Sequence, residues 1–334
     1  MADALAVEID AQYRQLREEC GLLNRSTRGK LILRGAEAAE YLQGQLTNDV
    51  EGLGPGEGCY AALLDRKGHV QADMRVLNVS AVPLLDTVGE RNSGASEAQA
   101  LWVDTEPEAL EIAKRHLEMY KIGREVEVED VTAERAILSL IGPRAVEIAG
   151  GAALPEHACE ETAVEGVACL AAGTGEGIDL IAAGADADAL RATLLGRGAA
   201  EVGAEAAEIV RIEAGRPRFG AEMSSATMPA EAGIVERAVD FEKGCYIGQE
   251  PVARLHYRGR PNRHLRGLEL SAPAEPGAPL CLGEKQVGEV GSACFSPARG
   301  PLALAIVRRE AEPGAELAVG EDGATARVVD LPFG

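Results

Sequence analysis

Short apolar segments, each bounded by glycine, proline or polar residues, recur along the whole chain. Some carry apolar residues at helical spacing, as in residues 107–120, whereas shorter ones alternate apolar and polar residues as strands do. From residue 267 onward the apolar runs are short and glycine and proline are frequent, which is typical of a small β-barrel or β-sandwich. The pattern predicts an α+β protein with a separate all-β C-terminal domain, and an exposed loop over residues 86–100.

Length and charge limit the class of protein. The 334 residues are enough for two or three domains. A formal net charge of −21 argues against a protein whose whole surface binds nucleic acid or anionic lipid. The N-terminus lacks the pattern of a signal peptide, and no apolar run approaches the ~20 residues of a membrane span. We therefore expect a cytoplasmic protein.

The seven cysteines are widely spaced and include no C-x-x-C pair, so neither a disulfide framework nor a cysteine-rich metal site is expected. One of them, Cys245, lies between Lys243-Gly244 and Tyr246, with Gly248 close by. A nearby cation stabilises a thiolate, and glycines leave a backbone unshielded. On spacing alone, a buried structural cysteine is the commoner alternative.

A basic segment follows. Residues 254–266 hold five arginines, two of the five histidines and no acid. One interpretation is an anion site for a phosphate, a polyglutamate tail or an RNA backbone. The alternative is that these side chains pair with acids elsewhere on an acidic protein. The arginines are Arg254, Arg258, Arg260, Arg263 and Arg266.

The stretch KGCYIGQEPVAR (243–254) resembles the K-G-C-[FY]-x-G-Q-E motif of the YgfZ family of folate-binding proteins, which are relatives of the glycine cleavage aminomethyltransferase, GcvT. The resemblance runs in order through nearly the whole chain and is weakest across 86–106 and after 270. Further matching segments are RGAEAAEYLQGQLTNDVEGL (34–53), YAALLDRKGHVQADMRV (60–76), RIEAGRPRFGAEM (211–223) and MPAEAGI (228–234).

The resemblance implies a three-lobed, GcvT-like ring around a central opening, with a C-terminal β-barrel domain. The expected division has four parts. They are a discontinuous folate-binding domain over 1–56 and 132–245, a second α+β domain over 57–131, a basic connecting segment over 246–266, and the barrel over 267–334.

The resemblance also implies tetrahydrofolate as the cofactor. Glu213 matches the family's pterin-binding glutamate, and a carboxylate is a suitable acceptor for two adjacent N–H groups. Tyr60, Asp73 and Arg254 match positions near the folate. Cys245 is implied as the reactive group, brought to the edge of the central opening, and no metal site is expected.

One departure bears on function. Glycine cleavage aminomethyltransferases carry two adjacent aspartates in the G-x-x-D-D hairpin, and here the pair reads Ala72-Asp73. Since the resemblance assigns one-carbon transfer to the first aspartate, Ala72 argues against that activity. The leading hypothesis is support of iron–sulfur cluster assembly or repair in client enzymes, including tRNA-modifying ones, through Cys245. The alternatives are a folate-dependent one-carbon transferase and a non-catalytic module that binds tRNA or a partner through the five arginines.

Overall fold

A computed structural model describes residues 2–80, 99–321 and 323–333 of the protein. The loop expected over 86–100 lies outside these residues up to position 98, and a strand begins at Gln99. Within the described ranges the chain forms eight α-helices: α1 (Ala2–Glu18), α2 (Ala38–Gln45), α3 (Pro107–Tyr120), α4 (Ala145–Ala149), α5 (Ala187–Gly196), α6 (Ala204–Glu213), α7 (Val235–Ala238) and α8 (Gln249–Arg258).

The same ranges contain eighteen strands in three sheets. In chain order they are β1 (Gly21–Asn24), β2 (Gly29–Gly35), β3 (Gly58–Leu64), β4 (Val70–Asn78), β5 (Gln99–Thr105), β6 (Glu127–Asp130), β7 (Arg135–Ile141), β8 (Cys159–Val164), β9 (Val167–Thr174), β10 (Gly177–Ala183), β11 (Ala200–Glu201), β12 (Arg263–Leu270), β13 (Pro279–Leu282), β14 (Lys285–Glu289), β15 (Ser292–Ser296), β16 (Gly300–Arg308), β17 (Glu316–Val319) and β18 (Ala324–Val329).

The first sheet has the order β11-β1-β7-β10-β9-β8, and the second has the order β3-β4-β5-β2-β6. They share an apolar core in which Trp102 of the second sheet is fully buried near Ile137 and Ile181 of the first. The opposite face of the second sheet is covered by α2, α3 and apolar residues between 219 and 252. The second sheet is therefore packed on both faces.

Strand β4 shows what this double packing does to a polar sequence. Ala72, Met74 and Val76 belong to the core under α2 and α3. Successive side chains of a strand point to opposite faces, so Asp73 and Arg75 point the other way, toward the first sheet. A short polar region thus interrupts the apolar interface between the two sheets.

The third sheet, with the order β14-β13-β17-β18-β12-β16-β15, encloses its own core of small and branched apolar residues. It contacts the rest of the protein through α6, whose Ile212 is fully buried against Leu265, Leu302 and Phe333. The expected α+β class with an all-β C-terminal domain is confirmed.

The division of the chain among the three sheets differs from the domain boundaries expected from the sequence. Strand β2 and helix α2 belong with the second sheet and its core, although both fall within 1–56, which the sequence analysis assigned to the first domain. The segment 246–266, expected as a connection, is largely helix α8 and the start of β12. No helix among the described residues is long and apolar enough to cross a bilayer.

Candidate functional site: a polar cavity between two sheets

A cavity of about 620 Å³ lies between the first two sheets, α6 and residues 216–218. Strands β3, β4, β5 and β10 each contribute polar side chains to its wall. None of its lining residues comes from the third sheet as far as the structure describes it. The cavity therefore belongs to the N-terminal part of the chain, with α6 as the wall nearest the C-terminal domain.

Asp73 and Tyr60 form the centre of the wall. The Tyr60 hydroxyl donates a hydrogen bond to Asp73 Oδ2 at 2.8 Å, while Asp73 Oδ1 is buried and has no partner. Burial raises the pKa of Asp73 to about 6 and raises the pKa of Tyr60 well above its usual value. Asp73 is thus a carboxyl group that can gain or lose a proton near neutral pH.

A network of two arginines and two aspartates surrounds this pair. Arg75 Nε donates to Asp104 Oδ2 at 2.7 Å and Arg75 Nη1 donates to Asp179 Oδ2 at 2.8 Å. Arg28 Nε donates to the other oxygen of Asp104 at 2.9 Å. Burial opposes ionisation of Asp104, but the guanidinium groups of Arg75 and Arg28 outweigh it and hold the pKa of this carboxyl well below its usual range.

His157 and Arg237 flank the Tyr60 ring. The His157 ring stacks on it with centroids 6.5 Å apart, and the Arg237 guanidinium carbon lies 4.9 Å from its centroid. His157 has a φ of 68°, which is uncommon for a residue other than glycine. Burial lowers the pKa of His157 to about 4, so this ring is neutral at pH 7.

The cavity wall holds most of the buried polar atoms that lack a partner. Six such side-chain atoms occur in the described part of the chain, and four of them belong to cavity-lining residues. Buried polar groups in folded proteins are nearly always hydrogen-bonded, so a cluster of unpaired ones points to a missing polar ligand. The four are Asp73 Oδ1, Arg75 Nη2, His157 Nδ1 and Arg218 Nε.

The Thr47-Asn48 turn explains how the sequence positions this wall. Thr47 Oγ1 donates to the Ala238 carbonyl and accepts from the Ala62 amide. The Asn48 side-chain amide donates to the carbonyl oxygens of Tyr60 and Arg237. These two side chains therefore connect β3 to the end of α7 and bring the Tyr60 and Arg237 side chains together.

Two of the four residues expected near the folate line the cavity, namely Tyr60 and Asp73. Glu213 does not line it, and its assignment as the pterin ligand stays a prediction. Its buried carboxylate accepts hydrogen bonds from the Tyr13 hydroxyl at 3.0 and 3.1 Å, from Ser296 Oγ at 2.5 Å and from Arg17. Glu213 thus joins α1, α6 and the C-terminal sheet.

Arg254 also lies outside the cavity, on α8. In the basic segment, Arg263 pairs with Glu231 at 2.8 Å and Arg266 with Asp330 at 3.4 Å. The other three arginines have no ion pair with any residue that the structure describes. Pairing with acids therefore accounts for two of the five, and the unpaired ones are Arg254, Arg258 and Arg260.

Cys245 is the only exposed cysteine of the seven, all of which fall in described ranges. It precedes α8 in an irregular segment and is not among the residues that line the cavity. The three N–H donors of Lys243 are taken by the carbonyl oxygens of Gln43, Leu46 and Asn48 at 2.6–2.9 Å. Burial lowers the pKa of this lysine to about 8.

Sequence reasoning missed three residues of the cavity network: Arg75, Asp104 and Asp179. A signal was present, because each is a charged residue in a strand whose residues are mostly apolar. A charge in such a strand is buried when both faces of its sheet are covered, and a buried charge needs a partner.

Two family models match the chain. The GCVT N-terminal domain matches residues 3–243, and the glycine cleavage T-protein C-terminal barrel domain matches residues 263–333. The chain belongs to the glycine cleavage T-protein family. An aminomethyltransferase of Rubrobacter xylanophilus is 32% identical to this T-protein family member over 97% of the chain and 86% of its own length. A putative chloroplastic transferase of Arabidopsis thaliana is 27% identical over 91% of the chain and 69% of its own length.

A solved structure gives the same picture of the fold. The glycine cleavage system aminomethyltransferase T from Bartonella henselae superimposes with a TM-score of 0.83 and 23% identity, covering 98% of this chain and 89% of that one. The GcvT-like fold expected for this T-protein family member is thereby confirmed. Its placement in the YgfZ branch stays a prediction.

Proposed function

We propose that this T-protein family member binds a reduced folate in the cavity between the first two sheets and takes part in one-carbon transfer, as an aminomethyltransferase does. The observation that carries the proposal is Asp73. Its carboxyl group faces the cavity, has one unpaired buried oxygen, and has a pKa raised by burial to about 6. The names of the relatives support the same class of reaction.

The cavity suits a folate in size and in polarity. Its volume of about 620 Å³ falls within the range of ordinary small-molecule sites. The edge of a pterin ring offers N–H donors beside a carbonyl acceptor, and the wall offers an unpaired acceptor on Asp73 and an unpaired donor on Arg75. The Tyr60 and His157 rings add a flat aromatic surface.

The chemistry needs a group that handles a proton in a dry site. Tetrahydrofolate, when bound, supplies the nitrogen that accepts or gives up the one-carbon unit. Asp73 Oδ1 is the proton acceptor on the protein, and the Tyr60 hydroxyl orients that carboxyl through Oδ2. Tyr60 keeps its own proton because its pKa is raised by burial.

Ala72 does not count against this activity, contrary to the sequence-based expectation. Its side chain is fully buried in the core under α2 and α3, on the opposite face of β4 from the cavity. An aspartate at that position would point away from a ligand in the cavity. The residue of this hairpin that reaches the cavity is Asp73, and it is present.

The test is a paired measurement on Asp73→Asn. Tetrahydrofolate binding is measured by anaerobic calorimetric titration, and one-carbon transfer is measured as formation of 5,10-methylene-tetrahydrofolate and ammonia from an aminomethyl carrier protein. We expect the wild-type protein to bind tetrahydrofolate and to turn over, and we expect turnover by the Asp73→Asn variant to be about 100-fold slower. Asp188→Asn, the same change at an exposed position on α5, is the control. No binding by the wild-type protein would refute the proposal.

A second candidate function rests on the exposed sulfur of Cys245. Here the protein supports iron–sulfur cluster assembly or repair in client enzymes, including tRNA-modifying ones, and the thiolate handles sulfur or iron. Three unpaired arginines follow Cys245 closely in the chain: Arg254 and Arg258 on α8, and Arg260 just after it. They offer a docking point for tRNA or an acidic partner.

The two candidates predict different results in cells. If Cys245 carries the function, Cys245→Ala in the chromosomal copy lowers the activity of iron–sulfur enzymes while the Asp73→Asn copy leaves it intact. If the cavity carries the function, the Asp73→Asn protein loses one-carbon transfer, the Cys245→Ala protein keeps it, and neither copy lowers the activity of iron–sulfur enzymes. Cys281→Ala, at a partly exposed cysteine in the C-terminal sheet, is the matched control.

A further inference from the structure

One nitrogen of the Arg75 guanidinium is not used by any protein partner among the described residues. Its Nε and Nη1 groups are held by Asp104 and Asp179, which fix the guanidinium plane, while Nη2 is buried without a partner. The side chain is only 8% exposed, so bulk water cannot satisfy this donor. An unsatisfied buried donor in a cavity wall calls for an acceptor on the ligand.

The electrostatics select the kind of acceptor. Arg75 and Arg28 bring two positive charges into the network, whereas Asp104, Asp179 and the Arg28 partner Glu106 bring three negative charges. The guanidinium is therefore already neutralised before any ligand arrives. A carboxylate or phosphate bound to this guanidinium would lose its hydration and gain little net electrostatic attraction in return. A neutral carbonyl oxygen costs less to desolvate, so a single hydrogen bond is enough to favour its binding.

Geometry places this donor near the proposed reaction centre. Arg75 and Asp73 are two residues apart on β4 and point to the same face, and Arg75 is the direct cross-strand neighbour of Tyr60. A ring that carries a carbonyl group can therefore contact the Arg75 donor at one edge while its reactive part lies beside Asp73.

We propose that Arg75 is a specificity-determining residue that recognises the ring carbonyl of a bound pterin by donating a hydrogen bond from Nη2. The inference rests on the proposed function, since it names the part of the folate that this arginine contacts. Asp104 and Asp179 act as positioning residues, because they hold the guanidinium so that Nη2 is the donor left for the ligand.

A ligand pair tests this without changing the protein. Tetrahydrofolate and its 4-thio analogue differ in one atom, since sulfur replaces the ring carbonyl oxygen while the neighbouring N–H is kept. Sulfur is a weak acceptor, so we expect the wild-type protein to bind the analogue about 10-fold less tightly in anaerobic calorimetric titration. Equal affinity for the two ligands would overturn the inference and leave the proposed function standing.

A variant makes the assignment to Arg75 specific. Arg75→Lys keeps the charge but loses the planar fork, so we expect the preference for oxygen over sulfur to fall to about 3-fold or less. Arg263→Lys, the same change at an arginine paired with Glu231 outside the cavity, should keep the full preference. If Arg75→Lys keeps it too, another group reads the carbonyl. If that variant does not fold, equal affinity of the wild-type protein for the two ligands still overturns the inference. Failure of both ligands to bind overturns this inference and the proposed function together.

Discussion

Tyr60 donates its hydroxyl hydrogen to Asp73 Oδ2 across strands β3 and β4, and this bond leaves Asp73 Oδ1 as a buried acceptor with no protein partner. One oxygen of the Asp73 carboxyl group is therefore held by Tyr60, and the other is available to a ligand. A carboxyl group held in this way stays oriented when its protonation state changes. Its protonation also affects stability and activity in ways that can be measured.

The first prediction concerns stability. An aspartate in the unfolded chain has a pKa of about 3.9, whereas burial raises that of Asp73 to about 6. Between these values the folded protein holds a proton that the unfolded chain has released, so the free energy of unfolding falls as pH rises through this window. Asp73→Asn removes the titration and should be more stable than wild type at pH 7.5 by about 1–3 kcal/mol. Urea unfolding at pH 4.5 and 7.5 checks this, and a variant less stable than wild type at both pH values would contradict it.

The second prediction concerns the pH dependence of turnover. Only the ionised form of Asp73 accepts a proton, so the rate constant for one-carbon transfer should rise with pH through about 6 and level off above 7. Single-turnover measurements between pH 5 and 8 test this. His157 should not shape the profile over that range, because burial lowers its pKa to about 4. A rate that falls as pH rises through 6 would instead make Asp73 a proton donor.

The third prediction concerns Glu213. Glu213→Gln replaces one acceptor oxygen with a donor amide among Tyr13, Arg17 and Ser296, so we expect it to lower the free energy of unfolding by about 2 kcal/mol. Affinity for tetrahydrofolate should change less than about 3-fold, since the carboxylate is outside the cavity. Urea unfolding and calorimetric titration give the two numbers. A large loss of affinity with unchanged stability would restore Glu213 to the folate site.

The fourth prediction concerns thiol reactivity. Burial raises the pKa of Cys59 and of Cys294 to about 12, and that of Cys20, Cys159 and Cys169 to about 11. Cys245 is exposed, so limited alkylation at pH 7 followed by peptide mass spectrometry should label it first. Cys281, which is partly exposed, is the internal comparison. Because the Cys245 side chain is exposed, Cys245→Ala should change the free energy of unfolding by no more than about 0.5 kcal/mol. Faster labelling of any other cysteine would contradict this ranking.

Helices and strands were predicted well where the spacing of apolar residues and the turn residues indicated the same element. The residues with helical spacing at 107–120 form α3, and the hairpin of the segment 60–76 is formed by β3 and β4. Glycine is needed at its turn, since Gly68 has a φ of 81°. These features depend on short-range interactions, which the sequence records directly.

The site was harder to predict because it depends on which face of an element meets which neighbour. On α6, Glu208 and Arg211 line the cavity, and Glu213 lies two residues beyond Arg211. Two residues turn a helix by about 200°, so Glu213 faces the opposite side. The motif that contains Glu213 gave no information about that rotation. Ala72 and Asp73 show the same limit on a strand, where one position reverses the face.

The carboxylate of Glu213 has a consequence for the ends of the chain. Its side chain is bound by Tyr13 and Arg17 of α1, and its carbonyl oxygen accepts the amide hydrogen of Phe333 at 3.4 Å. Both ends of the sequence therefore converge on one residue of α6, whose neighbouring turn forms the cavity wall. Removing α1 or Phe333 would take a partner from the same glutamate, so we expect either deletion to disturb the cavity as well.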